Sequence, residues 1–308
     1  MTIADLAGLI TEVRNTESLW IDSLSTEEIV RLACGEESKV LPAVIDQIPS
    51  IVAAIDLIAE RLKQGGRMFY LGAGTSGRLG ILDAAELLPT FGAGSEMVKA
   101  FIAGGPRAIQ QAVEFAEDDA EAGAKELSAD GLSSVDAVVG ITASGRTPYV
   151  LGGLAKAREV GAATIGLTCN RNAPIAELSD VAIEVVVGPE IVTGSTRMKA
   201  GTAQKIVLNL LSTTVMIKLG RVYQNFLVDM LVTNEKLRLR AMRMVAELTG
   251  ASLEEAARLL KLSDWRIKEA VVMQLAGCTL SQASEYLRQG QGILGHALKL
   301  ALSSTTDT

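Results

Sequence analysis

From residue 67 to a long pattern starting near Ser195 the chain switches repeatedly between short apolar runs and longer amphipathic ones, and glycine- and hydroxyl-rich turns follow several of the apolar runs. No other feature limits the fold as much. Residues 67–71 (RMFYL), 97–103, 136–142 (DAVVGIT), 163–169 (ATIGLTC) and 181–187 (VAIEVVV) read as strands, being short, rich in β-branched or aromatic residues and bounded by turn formers. Segments near 77–88, 106–127 and 148–160, and a long pattern starting near Ser195, read as helices. Strands that alternate with helices form βαβ units. The expected class is therefore α/β, a doubly wound parallel sheet of five strands. Aromatic residues make up only 4% of the chain against 48% apolar, so the core is largely aliphatic, which suits strands buried on both faces.

The flanks read as helical. Ser25 and Glu28 have the spacing of a capping box. Pro49 opens a second helix, in which Ile51, Ile55, Ile58 and Leu62 recur at helical spacing until Gly65-Gly66 ends it. In the tail, residues 249–273 align without gaps on 276–300, a period of 27. Gly250/Gly277, Leu253/Leu280, Ala256/Ala283, Leu260/Leu287 and Ala270/Ala297 are identical pairs, with Ser252 and Thr279 as N-caps. The expected organisation is a helical segment (1–50), the sheet domain (51–245) and a small all-α unit of two similar hairpins (246–308).

Composition excludes several classes. A net charge of −7 and a pI near 5.0 argue against bulk binding to nucleic acid or to an acidic membrane. The tail helices show no basic stripe of the kind a DNA-binding module needs. Mean hydropathy is high at +0.30. Even so, the longest stretch free of Asp, Glu, Lys and Arg is 270–284, too short to span a bilayer. Asp5 and Glu12 interrupt the apolar start, unlike a secretory leader. Cys34, Cys169 and Cys278 are scattered, with neither disulfide nor zinc spacing. Together these features point to the cytoplasm.

Three segments carry candidate chemistry. The first is the loop Gly72-Ala-Gly-Thr-Ser-Gly-Arg78, between a strand and a helix. Unpaired N–H groups and the positive end of the helix dipole favour an anion there. The dinucleotide fingerprint fails, because the place for a ribose-binding acid reads Ala103-Gly-Gly-Pro-Arg107. A Walker loop fails for want of Gly-Lys-Ser/Thr. Thr75, Ser76, Gly77 and Arg78 instead suit a phosphate monoester, and a tight turn that simply needs glycine is the plainer alternative. The second segment is Thr142-Ala-Ser-Gly-Arg-Thr-Pro148, offering Ser144, Gly145, Arg146 and Thr147 at the next strand end. Loops at the carboxyl ends of parallel strands converge on one crevice. The third, 188–205, offers Glu190, Ser195, Thr196 and Lys199, with Ser195 expected to cap the long helix.

These strings resemble the SIS (sugar isomerase) domain, a phosphosugar-binding doubly wound fold. GAGTSGRLGILDAAE, AVEFAEDD, TASGRTPYV and VGPEIVTGSTRMKAGTAQK are similar, within it, to the N-acetylmuramic acid 6-phosphate etherase family of peptidoglycan (amino sugar) recycling. The resemblance covers most of 20–245. It implies a homodimeric lyase without metal or redox cofactor, cleaving the lactyl ether at carbon 3 by elimination followed by water addition. The products are N-acetylglucosamine 6-phosphate and D-lactate. Motif position implies that Glu86 donates the proton to departing lactate and that Glu117 is the second acid/base, at carbon 2. The family pattern DASECPPTFG reads Asp83-Ala-Ala-Glu-Leu-Leu-Pro-Thr-Phe-Gly92 here, and in VEGAED Phe115 replaces Gly. The alternatives are a non-catalytic phosphosugar regulator, like the glucokinase regulatory protein of the same ancestry, and an aldose–ketose phosphosugar isomerase. His296, the only histidine, aligns with Glu269 in the repeat and reads as an exposed helix position. Cys169 reads as a small buried hydrophobe, and Trp20 and Trp265 as packing residues.

Overall fold

The computed structural model describes residues 8–305, so Asp5 lies outside the described residues. Helices α1 (Thr26–Glu37), α2 (Val40–Ile45) and α3 (Ile48–Lys63) precede the sheet. The capping box starts α1, where Ser25 N–H donates to Glu28 Oε2 at 2.8 Å and Glu28 N–H donates back to Ser25 Oγ. Pro49 sits in the first turn of α3, and Ile51, Ile55, Ile58 and Leu62 are its buried stripe.

The α/β part follows as β1 (Met68–Gly72), α4 (Gly74–Phe91), β2 (Val98–Ile102), α5 (Arg107–Gln110), α6 (Ala120–Ala129), β3 (Ala137–Ile141), α7 (Pro148–Val160), β4 (Ala163–Thr168), α8 (Pro174–Glu177), β5 (Val181–Glu184) and α9 (Lys199–Lys218). The sheet order is β2-β1-β3-β4-β5 with every pair parallel, the architecture expected from the sequence. Every residue of β1, β3 and β4 is buried, which is why their sequences are apolar without alternation. Gly72 lies opposite both Ile102 and Ile141, so the loops after β1, β2 and β3 leave the sheet at one level. Helix α4 packs against this end because of Gly77. A Cβ there would lie 2.6 Å from Ile102 Cγ1 and 2.7 Å from Gly72 O.

Two helical expectations need correction. Residues 106–127 are not one helix: α5 stops at Gln110, a 3₁₀ turn follows at Ala116–Asp118, and α6 starts beyond Asp119, whose carboxylate accepts the N–H groups of Glu121 and Ala122. The chain turns extended at Gln111, at a φ of −134°, and then left-handed at Phe115, at a φ of 62°. A side chain in that left-handed region costs about 1 kcal/mol and cannot continue a right-handed helix. The long helix after the third loop starts at Lys199, so Ser195 does not cap it.

By packing, the chain divides into two units: Met1–Ala85 with Ser95–Thr213, and Glu86–Gly94 with Thr214–Thr308. The second holds α10 (Glu235–Thr249), α11 (Leu253–Leu262), α12 (Ile267–Ala276), α13 (Leu280–Gln289) and α14 (Leu294–Thr305). The repeat is visible in it. Ser252 and Thr279 cap α11 and α13 through their side chains, and Gly250 and Gly277 end the preceding helices in left-handed conformations. Ala256, Ala283, Ala270 and Ala297 are all fully buried. The left-handed pair Asp264-Trp265 recurs as Gln291-Gly292. Trp265 packs on this core with the Arg238 guanidinium 5.3 Å from its ring centre, whereas Trp20 is 76% exposed and is no packing residue. His296 is exposed, and among the described residues no single helix is long and apolar enough to cross a membrane.

Asp136 fastens the amino ends of β1 and β3. Its carboxylate accepts the N–H groups of Arg67 (2.7 Å) and Ser133 (2.8 Å) and pairs with Arg67 Nη2 at 3.1 Å. Burial alone would raise its pKa, but the hydrogen bonds from Arg67 and Ser133 outweigh burial and hold it below the usual aspartate range. A lowered pKa stabilises the fold above the ordinary aspartate value of about 3.9, and that stability is lost as pH falls through the folded-state value. Asp136→Asn is expected to cost about 3 kcal/mol at neutral pH, read as a lower urea midpoint by circular dichroism. The variant should also lose less stability than the parent on acidification below about pH 4.

Candidate active site

The carboxyl ends of β1 and β3 open on a cavity of about 330 Å3. The first loop contributes Ala73, Gly74, Thr75 and Ser76, the second Thr142 to Ser144 and Arg146 to Pro148, and the third Thr196. Glu117 and Asp118, on the turn after Phe115, form a further wall. Both α4 and α7 begin at this cavity, so two helix amino termini turn their N–H groups and positive dipole ends toward it. Pro148 occupies the first turn of α7, and Thr147 at its N-cap makes no side-chain cap bond. Its hydroxyl lies 2.7 Å from Thr142 Oγ1, which lies 3.3 Å from Ser144 Oγ. Ser76 Oγ donates to Gln204 Oε1 at 2.9 Å. Among the described residues, Arg146 Nε and Gln204 Nε2 are buried side-chain donors without a partner. Unsatisfied buried donors beside a cavity are where ligand oxygens fit.

A buried network fixes the helices behind the loops. Asp83 on α4 accepts from Tyr70 Oη of β1 (2.8 Å) and from Asn209 Nδ2 (2.7 Å) and Ser212 Oγ (3.1 Å) of α9. Burial outweighs these donors and holds the Asp83 carboxyl above its usual range. Burial also drives the Cys169 thiol to about 12, so it is an inert packing group.

The structure sorts the residues singled out from sequence. Thr75, Ser76, Ser144, Arg146, Thr147, Thr196 and Glu117 line the one cavity. Gly77 and Gly145 shape it instead. Gly145 has a φ of 71°, and a Cβ there would meet Ala173 Cβ at 2.3 Å. Arg78 lines a neighbouring cavity of about 190 Å3 together with Glu117 and Phe115. Glu86 is exposed on α4 and belongs to neither lining. Glu190, Ser195 and Lys199 lie outside both linings as well. The Glu190 carboxylate caps α9, accepting the N–H groups of Lys199 (3.1 Å) and Ala200 (2.9 Å). Burial holds it above the usual glutamate range in spite of those bonds. Lys199, only 1% exposed, pairs with Glu36 of α1 and donates to Pro189 O at 2.7 Å.

Sequence reasoning missed Thr11 and Glu12, which line the cavity from a 3₁₀ turn at Ile10–Glu12. Asn170 holds that turn, accepting Ile10 N–H at 2.8 Å and donating to Thr11 Oγ1 and Ala143 O. No local signal in the sequence announces a contact over such a separation.

A five-stranded parallel sheet whose hydroxyl-rich loops and helix amino termini enclose one cavity is the SIS arrangement, and two family models agree. The glucokinase regulatory protein N-terminal SIS domain matches residues 50–158, and the SIS domain matches residues 109–214. A phosphoheptose isomerase from Francisella tularensis shares the fold, with a TM-score of 0.51 and 18% identity over 63% of this chain and 99% of its own. Curated relatives reach further. The N-acetylmuramic acid 6-phosphate etherase of Yersinia pestis (strain Pestoides F) is 52% identical over 293 residues, 95% of this chain and 99% of the relative. That of Salmonella agona (strain SL483) is 50% identical over 295 residues, 96% and 99% of the two chains. The chain belongs to the N-acetylmuramic acid 6-phosphate etherase family.

The Lys199–Glu36 pair generates a test of which residues hold ligand. Lys199→Met removes one of the two cations on the buried Glu36 carboxylate, leaving Lys39 at 2.5 Å, and is expected to lower stability by about 2 kcal/mol, with Glu36→Gln on top recovering part of it. Thermal unfolding measures both variants. Sugar phosphate affinity of the folded single variant should stay within about twofold of the parent. An affinity loss above about tenfold with stability intact would return Lys199 to the ligand set.

Proposed function

We propose that this chain cleaves the D-lactyl ether of N-acetylmuramic acid 6-phosphate, giving N-acetylglucosamine 6-phosphate and D-lactate, a carbon–oxygen lyase step in amino sugar recycling. The observation that carries it is one cavity lined at once by Glu117 and by hydroxyls and helix amino termini suited to a phosphate monoester. Family membership at half identity over nearly the whole chain supports the same activity.

The steps follow from the substrate's chemistry. Ring opening exposes an aldehyde at carbon 1, which acidifies the proton on carbon 2. The Glu117 carboxylate takes that proton, and its electron pair becomes a carbon 2–carbon 3 double bond as the carbon 3–oxygen bond breaks. Protonated Glu86 delivers a proton to the departing lactate oxygen, a poor leaving group otherwise. Water then adds at carbon 3 and carbon 2 regains a proton. Ser144, Thr147, Thr75 and the unpartnered Arg146 Nε hold the phosphate at the other end of the open sugar.

A homodimer in the cytoplasm is part of this proposal. Glu86 is exposed and outside the lining that holds Glu117. A second copy of the chain, bringing its own Glu86, completes the acid–base pair across the dimer. The free cysteines Cys34, Cys169 and Cys278 suit a reducing compartment.

Purified protein incubated with N-acetylmuramic acid 6-phosphate in deuterated water is expected to release lactate, with deuterium at carbon 2 of the product. Glu117→Gln should abolish both. Folded protein that binds the sugar phosphate without lactate release or exchange would be a phosphosugar regulator instead. For the shared site, Glu86→Gln and Glu117→Gln should each be inactive alone. Co-expression of the two should restore activity, since a mixed dimer holds one complete pair. Mixed dimers without activity would place both carboxylates on one chain.

A further inference from the structure

The smaller cavity beside Glu117 has no place in the scheme so far. Its volume is about 190 Å3, and it shares Ala73, Gly74 and Glu117 with the larger one. Ala103, Ala108, Ala112 and Val113 are among its apolar lining residues. Its polar lining groups are Arg78, Glu114 and Glu117, and Glu114 is exposed to solvent. Arg78 is thus the one cation among these lining residues. Its guanidinium is anchored by donating to Ile109 O (3.1 Å) and Gln111 O (3.3 Å). Those two bonds leave part of its five-donor fork for a ligand.

Phe115 stands at the same cavity. It is 83% exposed, although its backbone sits at a φ of 62°. Its carbonyl accepts Asp118 N–H at 3.2 Å, closing the 3₁₀ turn, and the ring joins neither the tail core nor the core around β1, β3 and α7. The left-handed backbone is one that glycine, the residue of the family pattern at this position, adopts freely; the ring is what this chain adds to the lining of the smaller cavity, two residues from Glu117.

Resting on the reading above, in which Glu117 works at carbon 2, we propose that the smaller cavity holds the lactyl group. Arg78 takes its carboxylate and Phe115 covers its methyl. The ether is on carbon 3, the neighbour of the carbon that Glu117 addresses, so the lactyl group has to lie next to Glu117. The larger cavity, with its hydroxyls and Arg146, takes the phosphate. A small recess that sets one guanidinium beside alanine and valine side chains matches a short branched carboxylate, and a planar fork matches carboxylate oxygens in pairs. Arg78 therefore distinguishes substrate from product, which has lost the lactyl group.

The test compares substrate and product on the same variants. Arg78→Met should raise the KM for N-acetylmuramic acid 6-phosphate by more than about tenfold. Its Kd for N-acetylglucosamine 6-phosphate, measured by calorimetry, should stay within about twofold of the parent. Phe115→Gly should raise KM about fivefold with kcat within about twofold, and Phe115→Tyr should behave as the parent. Ser144→Ala, a change in the phosphate loop, should weaken substrate and product alike. Equal weakening of both ligands by Arg78→Met would assign Arg78 to the phosphate and overturn the proposal. So would unchanged KM in Arg78→Met and Phe115→Gly, or a Phe115→Gly protein that only changes its mass in light scattering. A parent that neither binds nor cleaves the substrate would overturn this proposal together with the function it rests on.

Discussion

Everything at the site depends on the register of three parallel strands. Gly72 pairs with Ile102 on one side and with Ile141 on the other. The loops that follow start from one level, and two of them turn directly into helices. Slipping any strand by one residue would turn its buried side chains to the wrong face and carry its loop away from the others. The register is held from below, where Asp136 gathers Arg67 and Ser133 at the amino ends. It is held from the side by the missing side chain of Gly77, which admits α4 against Gly72 and Ile102. No loop residue has to create the cavity by itself; each only has to continue its strand.

Polar groups do a second kind of positioning. The Asp83 carboxyl joins β1, α4 and α9 through Tyr70, Asn209 and Ser212. The Lys199–Glu36 pair ties the helix before the sheet to the one after it. Such contacts are poor sources of net stability but are severe about geometry, because a lone buried charge is so unfavourable. Glu190 does the same for the third loop by capping α9, which leaves Thr196 to face the cavity. Motif position alone cannot separate a carboxylate that meets ligand from one that shapes the loop meeting it.

The sheet was legible because strands buried on both faces are apolar without alternation, and the interiors of 67–71, 136–142 and 163–169 are nearly so, with Arg67 and Asp136 marking the amino ends. The tail was legible because each hairpin repeats its caps and its buried alanines. What failed was decided at single residues. The chain turns extended at Gln111 and left-handed at Phe115, two backbone breaks that the helical periodicity of 106–127 does not register. Ser195 looked like a cap in the letters, but the cap is Glu190, folded back from the preceding loop. Thr11 and Glu12 were invisible because their place follows from Asn170, far along the chain.

That last contact orders events in time. The turn carrying Thr11 and Glu12 is synthesised before its anchor, which is separated from it by 160 residues and follows β4. Contacts of such long separation are slow to form, because the entropy of closing the loop must be met before they are rewarded. The nascent chain therefore carries an open-sided cavity until β4 has been synthesised and paired. A growing polypeptide can have β1, α4 and β3 in place and still lack one wall of its ligand site, so competence to hold a sugar phosphate comes late in its folding.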